Sequence, residues 1–277
     1  MLRGWADQSI LFNFYSKPLH TVKNLQNTGR IFFAIALLGI GLQAVYFNNL
    51  PYMLLPLQSQ VAVVNYASGI LFILGGAGLI SEKIARPTSL LLGTVFLLIF
   101  CFYYVPYELF VSPNYKHLSD WENAEKELAF AGGAFAVARC FSVKNKNRIF
   151  GFLEKLIPLG TWLFAIPVIS FGILHFLLAK EASTLVPAWI PYPAFWVYAG
   201  GVGLLGCGVA ILLNIKRRLF AVLLGIIILI WFVSLHIPRV IAPTADRPDE
   251  ITSAFLALAY SGIAFVIAGT AKNPVKK

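Results

Sequence analysis

Phe33-Ala-Ile-Ala-Leu-Leu-Gly-Ile-Gly41 returns 131 positions later as Phe164-Ala-Ile-Pro-Val-Ile-Ser-Phe-Gly172. Pro56 falls on Pro187 at the same offset. With one residue more, Tyr66-Ala67 falls on Tyr198-Ala199. Gly69, Gly76 and Arg86 fall likewise on Gly201, Gly208 and Arg218, Leu91-Leu92-Gly93 on Leu223-Leu224-Gly225, and Pro106 on Pro238. With one residue less than the first offset, Leu128-Ala129, Gly132 and Ala134-Phe135 fall on Leu258-Ala259, Gly262 and Ala264-Phe265. The matches keep their order over about 110 residues, which reads as a tandem duplication. Each copy is then a control for the other. Positions that differ between copies become the candidates for function.

The solvent of both copies is read from composition. Hydrophobic residues make up 58% of the chain, charged residues 12%, and mean hydropathy is +0.76. A soluble domain carries about 25% charged residues, so this chain cannot cover a water-facing surface. Eight apolar runs follow: Ile31–Asn48, Val61–Ile80, Ser89–Val105, Leu128–Phe141, Gly160–Ala179, Phe195–Ile215, Leu219–Ile237 and Ile251–Thr270. Most approach the roughly 20 residues that cross a bilayer core as a helix. The fourth is short and is expected to extend back through Ala124, with Glu125 and Glu127 at the membrane interface. No run alternates with period two, so strands are not expected.

The expected fold is an all-α integral membrane protein of eight transmembrane helices, arranged as two parallel-repeat four-helix bundles. The expected segments are residues 1–30 (a cytoplasmic or interfacial N-terminal stretch), 31–141 (first repeat), 142–159 (a basic cytoplasmic linker) and 160–270 (second repeat). An even number of crossings per copy returns each copy to its starting side, so the repeats are parallel. Residues 1–30 mix Trp5, Phe12, Phe14 and Tyr15 with Arg3, Lys17, Lys23 and Arg30, which fits a surface-lying helix or a tail. No cleavable signal is recognised there.

The net charge of +10 is explained by topology. With the N-terminus inside, 17 of the 22 basic residues fall on the inner side and nine of the 12 acids on the outer. This positive-inside pattern places both termini on the cytoplasmic side. It leaves no basic patch for nucleic acid, and the bilayer itself is the expected partner. Cys101, Cys140 and Cys207 form no C-x-x-C pair and read as small hydrophobes. The glycines of the second and sixth helices, including Gly69, Gly76, Gly201 and Gly208, read as helix-packing contacts rather than a phosphate loop. Gln43 and Asn65 read as interhelical hydrogen-bond partners.

Ionisable groups inside a membrane are the default candidates for function. His175, His236 and Arg239 fall at similar depth near the outer helix ends of the second copy, and Trp189, in an uncharged Pro-rich loop, can cover them. The matched positions of the first copy are Ala44, Tyr104, Tyr107 and Gln58. Glu108 stands beside Tyr107 and can supply an acid from the other half. The candidate ligand-binding set is therefore His175, His236, Arg239, Trp189, Tyr104 and Glu108. No catalytic residue and no metal ligand is assigned. Histidine can donate to a quinone carbonyl and take its proton, whereas Arg239 suits a carboxylate, phosphate or sulfur oxyanion. Haem is disfavoured because two histidines alone do not provide the small-residue space it needs. Zinc lacks third and fourth ligands. Each of these residues can also play a merely structural part, bonding a carbonyl or reaching a lipid phosphate.

Phe171-Gly-Ile-Leu-His-Phe176, Val186-Pro-Ala-Trp-Ile-Pro191, Phe195-Trp-Val-Tyr-Ala-Gly200 and His236-Ile-Pro-Arg239 resemble, in order and spacing, the DoxX-like membrane proteins. The first copy resembles a degenerate version lacking the histidines. The resemblance implies a four-helix membrane unit. It also implies a link to redox systems, since relatives include a thiosulfate:quinone oxidoreductase subunit and a membrane oxidoreductase complex. On that basis the chain is expected to be a quinone- or lipid-binding component of a redox system, with a soluble or membrane redox partner. A small-molecule or lipid carrier and a scaffold for a soluble partner remain the alternatives.

Overall fold

Long apolar runs leave no water for their backbone groups, so each run must close its own hydrogen bonds as a helix. The computed structural model describes residues 8–48, 62–113, 116–142, 148–242 and 247–271, with the backbone alone for 8–21 and 148–149. Gln58, the linker residues 143–147 and most of the loop after Asn48 lie outside the described residues. No strand occurs among the described residues. The helices are α1 (Gln8–Tyr46), α2 (Ala62–Ile80), α3 (Ala85–Ile99), α4 (Val105–Phe110), α5 (Glu122–Ala138), α6 (Arg148–Leu153), α7 (Gly160–Leu177), α8 (Ala179–Thr184), α9 (Pro193–Leu212), α10 (Arg217–Trp231), α11 (Ile237–Ile241) and α12 (Arg247–Thr270).

Seven described segments are long and apolar enough to cross a membrane. They are Val22–Phe47, Ala62–Ile80, Ala85–Phe110, Phe150–Leu177, Pro193–Leu212, Arg217–Ile241 and Arg247–Thr270. Large apolar side chains on their outer faces, such as Ile70, Leu74, Leu91, Phe102, Val202 and Ile230, stand exposed. An apolar exterior on this scale suits lipid rather than water. The eighth expected crossing is α5, which has 17 residues and a rise of roughly 25 Å. Its first turns are charged and it falls short of the other seven in length. α1 runs unbroken through residue 30 for 39 residues, so the described part of the N-terminal stretch continues into the first crossing as one helix.

The halves do not form two self-contained bundles. Within each half the helices pack in sequence, α1 on α2, α2 on α3 and α3 on α5, then α7 on α9, α9 on α10 and α10 on α12. The ring closes between halves: α12 packs along α1, and α5 along α7. In both places two glycines let the backbones touch. A Cβ on Gly262 would lie 2.6 Å from the Gly29 carbonyl oxygen, and one on Gly132 would lie 2.6 Å from that of Gly160. The central pair, α5 and α12, meets through Gly133 against Ile263 and Phe130 against Tyr260, whose rings are 6.5 Å apart. Every residue of α5 from Ala124 to Ala138 is buried.

Matched positions make matched contacts. Gly93 lies under the Phe135 ring, and Gly225 under that of Phe265. Phe33 packs on Phe130 at 5.6 Å, and Phe164 on Tyr260 at 5.6 Å. A π-helical turn follows α3 at Phe100–Tyr104, and another follows α10 at Phe232–His236. In each, the residue before a proline bonds five residues back, Val105 to Phe100 and Ile237 to Phe232. Pro106 and Pro238 lack the N–H an α-helical ladder needs, and the widened turn re-registers the helix around them.

One end of the bundle is basic. Arg30 donates to the carbonyls of Leu79 and Ile80 at 2.6 and 2.7 Å, closing α2. Arg86 donates to Ala138 at 2.8 Å and to Phe141, closing α5, and pairs with Glu154 at 2.8 Å. Arg217 donates to Ile211 at 3.0 Å, closing α9. Cations at helix C-termini satisfy orphan carbonyls and complement the helix dipole. Polar side chains also bridge helices as expected: Gln43 donates to the Pro248 carbonyl at 2.6 Å and to Thr252 Oγ1 at 2.8 Å, and Asn65 to the Asn48 carbonyl at 2.8 Å. Of the cysteines, Cys207 is buried, Cys140 half-buried and Cys101 exposed; none is in a disulfide.

Candidate functional site

His175 sits in the last turn of α7, where Gly200 and Gly201 of α9 let it approach. Its Nδ1 lies 2.7 Å from the Phe171 carbonyl oxygen. A carbonyl only accepts, so Nδ1 carries the hydrogen and Nε2 is left as the acceptor nitrogen of the neutral ring. The indole of Trp231 stacks on this imidazole, with centroids 5.8 Å apart and planes 18° from parallel. Trp231 is the last residue of α10, and the π turn begins at the next residue. That turn ends at His236, whose Nδ1 is buried with no hydrogen-bond partner.

Arg239 follows on α11 and is already engaged. Its guanidinium forms an ion pair with Glu250 at the start of α12 and donates to the Leu185 carbonyl at 3.3 Å. Glu250 is buried, and its second carboxylate oxygen has no partner. The acid expected from Glu108 is thus supplied by Glu250, within the same half. Glu108 is buried on α4, in the electrostatic range of Ser112 and Asp120. Tyr104 is fully buried at the end of the first π turn, edge-on to Tyr103 at 5.2 Å. Trp189 is 64% exposed, and the ring that lies against His175 is that of Trp231. The structure therefore brings His175 and Trp231 together, with His236 at the far end of the π turn that follows Trp231 and the Arg239–Glu250 pair on the next elements. Tyr104 and Glu108 belong to the other half.

An apolar groove of about 480 Å³ opens on the same half. Phe176, Val202, Gly206, Val209, Ile215 and Phe220 are among its walls. Phe176 follows His175 in α7, and the other walls run along α9 to Phe220 of α10. Gly206 forms part of its floor, with no atom within 4 Å of where its Cβ would stand. This glycine leaves space instead of bringing helices together.

A family model described as Domain of unknown function (DUF8561) matches residues 164–266. The match takes in His175, Trp231, His236, Arg239 and Glu250 and leaves the first half outside. No curated protein and no solved structure matches the chain.

Sequence reasoning passed over Trp231, Glu250 and a second polar group where α5, α7 and α12 meet. Glu250 was legible as one of two acids, with Asp249, in the first turn of α12 near Arg239 in depth. The second group was legible through the duplication, since Glu125 and Glu127 align with Phe255 and Ala257. Assigning those acids to the membrane interface hid it: Glu125 is 9% and Glu127 1% exposed, inside the protein.

Proposed function

We propose that this chain is a bacterial inner-membrane protein that binds a quinone-like or lipid-like molecule at the outer end of its second half, as a membrane component of a redox system. The observation that carries the reading is the orphan Nδ1 of His236, buried at the end of the π turn that begins next to Trp231, the ring stacked on His175. A buried ring nitrogen without a partner costs about 1–3 kcal/mol, and a ligand polar atom relieves it. His175 offers a second nitrogen, because only Nδ1 is tied to the chain. The engagement of Arg239 by Glu250 favours a neutral carbonyl-bearing head group over an anion. The apolar groove suits the hydrocarbon tail of such a molecule. The resemblance to DoxX-like proteins and the duplicated four-helix plan agree with this reading. The basic end of the bundle then faces the cytoplasm, with both termini.

The test is binding of a short-tailed ubiquinone analogue to the purified protein in nanodiscs, followed by quenching of tryptophan fluorescence. The His175→Ala/His236→Ala double variant is expected to lose the quench that a stacked Trp231 reports. Equal affinity in the double variant and the wild type would sink the proposal.

A further inference from the structure

The outer turns of α5 bury three consecutive ionisable residues: Glu125, Lys126 and Glu127, the second being 5% exposed. The Lys126 ammonium is spent locally, on Glu122 at 2.9 Å and on Asn123 Oδ1 at 3.0 Å. Among the described residues neither Glu125 nor Glu127 makes an ion pair, and Oε2 of each is buried without a hydrogen-bond partner. Two hydroxyls share this interior and are also unpartnered. Ser170 Oγ, on α7, lies in range of the Glu125 carboxyl but short of a well-formed hydrogen bond. The Tyr260 hydroxyl, on α12, lies in the electrostatic range of Glu125, Glu122 and Glu127. Its ring is held between Phe130, Phe164 and Phe171, at 6.5, 5.6 and 5.7 Å. Ser170 and Tyr260 are both more than nine-tenths buried.

The other inter-half joint shows that helix packing does not require these groups. There Glu125, Glu127 and Ser170 have as counterparts Phe255, Ala257 and Gly39, and the Phe255 ring fills the space over Gly39. Across the axis Tyr260 has Phe130 as counterpart. One joint is closed by an aromatic ring, the other by orphaned polar atoms.

We propose that Glu125, with Ser170 and Tyr260, forms a buried proton-binding site, and that Glu127, enclosed two residues along α5 on the opposite side of the helix, is a second protonated carboxyl. An ionised carboxylate enclosed without a counter-ion costs several kcal/mol, so the site holds a cation or neutralises its acids. Its donors are few. Among the described residues no three His, Cys, Asp or Glu side chains converge as a metal site. A proton on each carboxyl removes the charge, and the O–H it creates on Glu125 has the Ser170 hydroxyl oxygen in range to accept it. The other titratable groups around the site are Glu122 and Lys126 on α5, His175 on α7, and Tyr103 and Tyr104 on the π turn packed against α5. Glu122 lies in the electrostatic range of both Tyr260 and His175, which brings the site to the edge of the histidine group. The proposal does not depend on what the histidines bind.

The experiment is infrared spectroscopy of the full chain in nanodiscs, reading the C=O stretch of protonated carboxylic acids across a pH titration. The wild type is expected to show this band at neutral pH, with a loss of intensity in Glu125→Gln and in Glu127→Gln. Absence of the band, or an unchanged band in both variants, overturns the proposal. Tyr260→Phe removes only a hydroxyl and preserves the packed ring. It is expected to move the midpoint of the band by about one pH unit, and an unmoved midpoint counts against the site. Replacing choline chloride by sodium chloride gives the last arm. A midpoint that falls as sodium rises assigns the carboxyls to sodium instead and overturns the proton assignment.

Discussion

Changing Arg239 to Gln should destabilise the protein through the carboxylate it leaves behind. The guanidinium and the Glu250 carboxylate are 21% and 11% exposed, and the pair joins α11 to α12. Removing one member of a fully enclosed pair costs about 3–5 kcal/mol. Residual exposure of both members lowers the expectation to about 2–3 kcal/mol. Arg239→Gln strands a carboxylate whose second oxygen already lacks a donor. Glu250→Gln leaves the guanidinium with the Leu185 carbonyl alone. The double variant removes both charges, so its loss should be smaller than the sum of the singles by about 2 kcal/mol. Thermal unfolding in detergent, followed by tryptophan fluorescence, should place each single variant about 5–10 °C below wild type. The double should lie near the worse single, well above the sum of the two losses. Silent single changes whose effects simply add would refute the reasoning. Arg239 would then be free to hold an anion, and the preference for a neutral ligand would fall with it.

Two further outcomes are expected. Gly132→Ala should destabilise by about 1–3 kcal/mol, because its methyl would meet the Gly160 carbonyl oxygen and the Phe164 nitrogen at 2.6 Å, both backbone atoms that cannot turn away. Gly206→Ala, with open space around its Cβ, should be neutral or gain up to about 1 kcal/mol from helix propensity. Equal melting temperatures for the two variants would contradict the described crossing of α5 and α7. Lys216, between α9 and α10, should resist a membrane-impermeant amine reagent applied to intact cells and react in inverted vesicles. The opposite pattern would reverse the proposed orientation.

Hydropathy located the helices closely because one criterion, a run of apolar residues, is enough for a segment surrounded by lipid. The run Val61–Ile80 became α2 at Ala62–Ile80, and Gly160–Ala179 became α7 at Gly160–Leu177. Boundaries slipped where proline intervened. Ser89–Val105 begins late and ends early against Ala85–Phe110, since the π turn carries the helix past Pro106. Histidines and Arg239 were legible as rare polar groups in apolar surroundings. Glu125 and Glu127 stood out less, because charges beside the end of an apolar run ordinarily face head groups. Nothing in a linear window tells whether the neighbour of a helix is lipid or another helix.

Composition and the lengths of the apolar runs were sufficient for a helical chain with long segments suited to lipid, since that follows from residue type and spacing alone. The pairing of those helices was decided only in three dimensions. Each half could close on itself by local pattern, yet Gly29 against Gly262 and Gly132 against Gly160 interlock the halves and put α5 and α12 at the centre. Close backbone approach depends on which two small residues meet, and that is a property of the pair, not of either segment. The same meeting turned Glu125 and Glu127 from expected interface charges into enclosed acids.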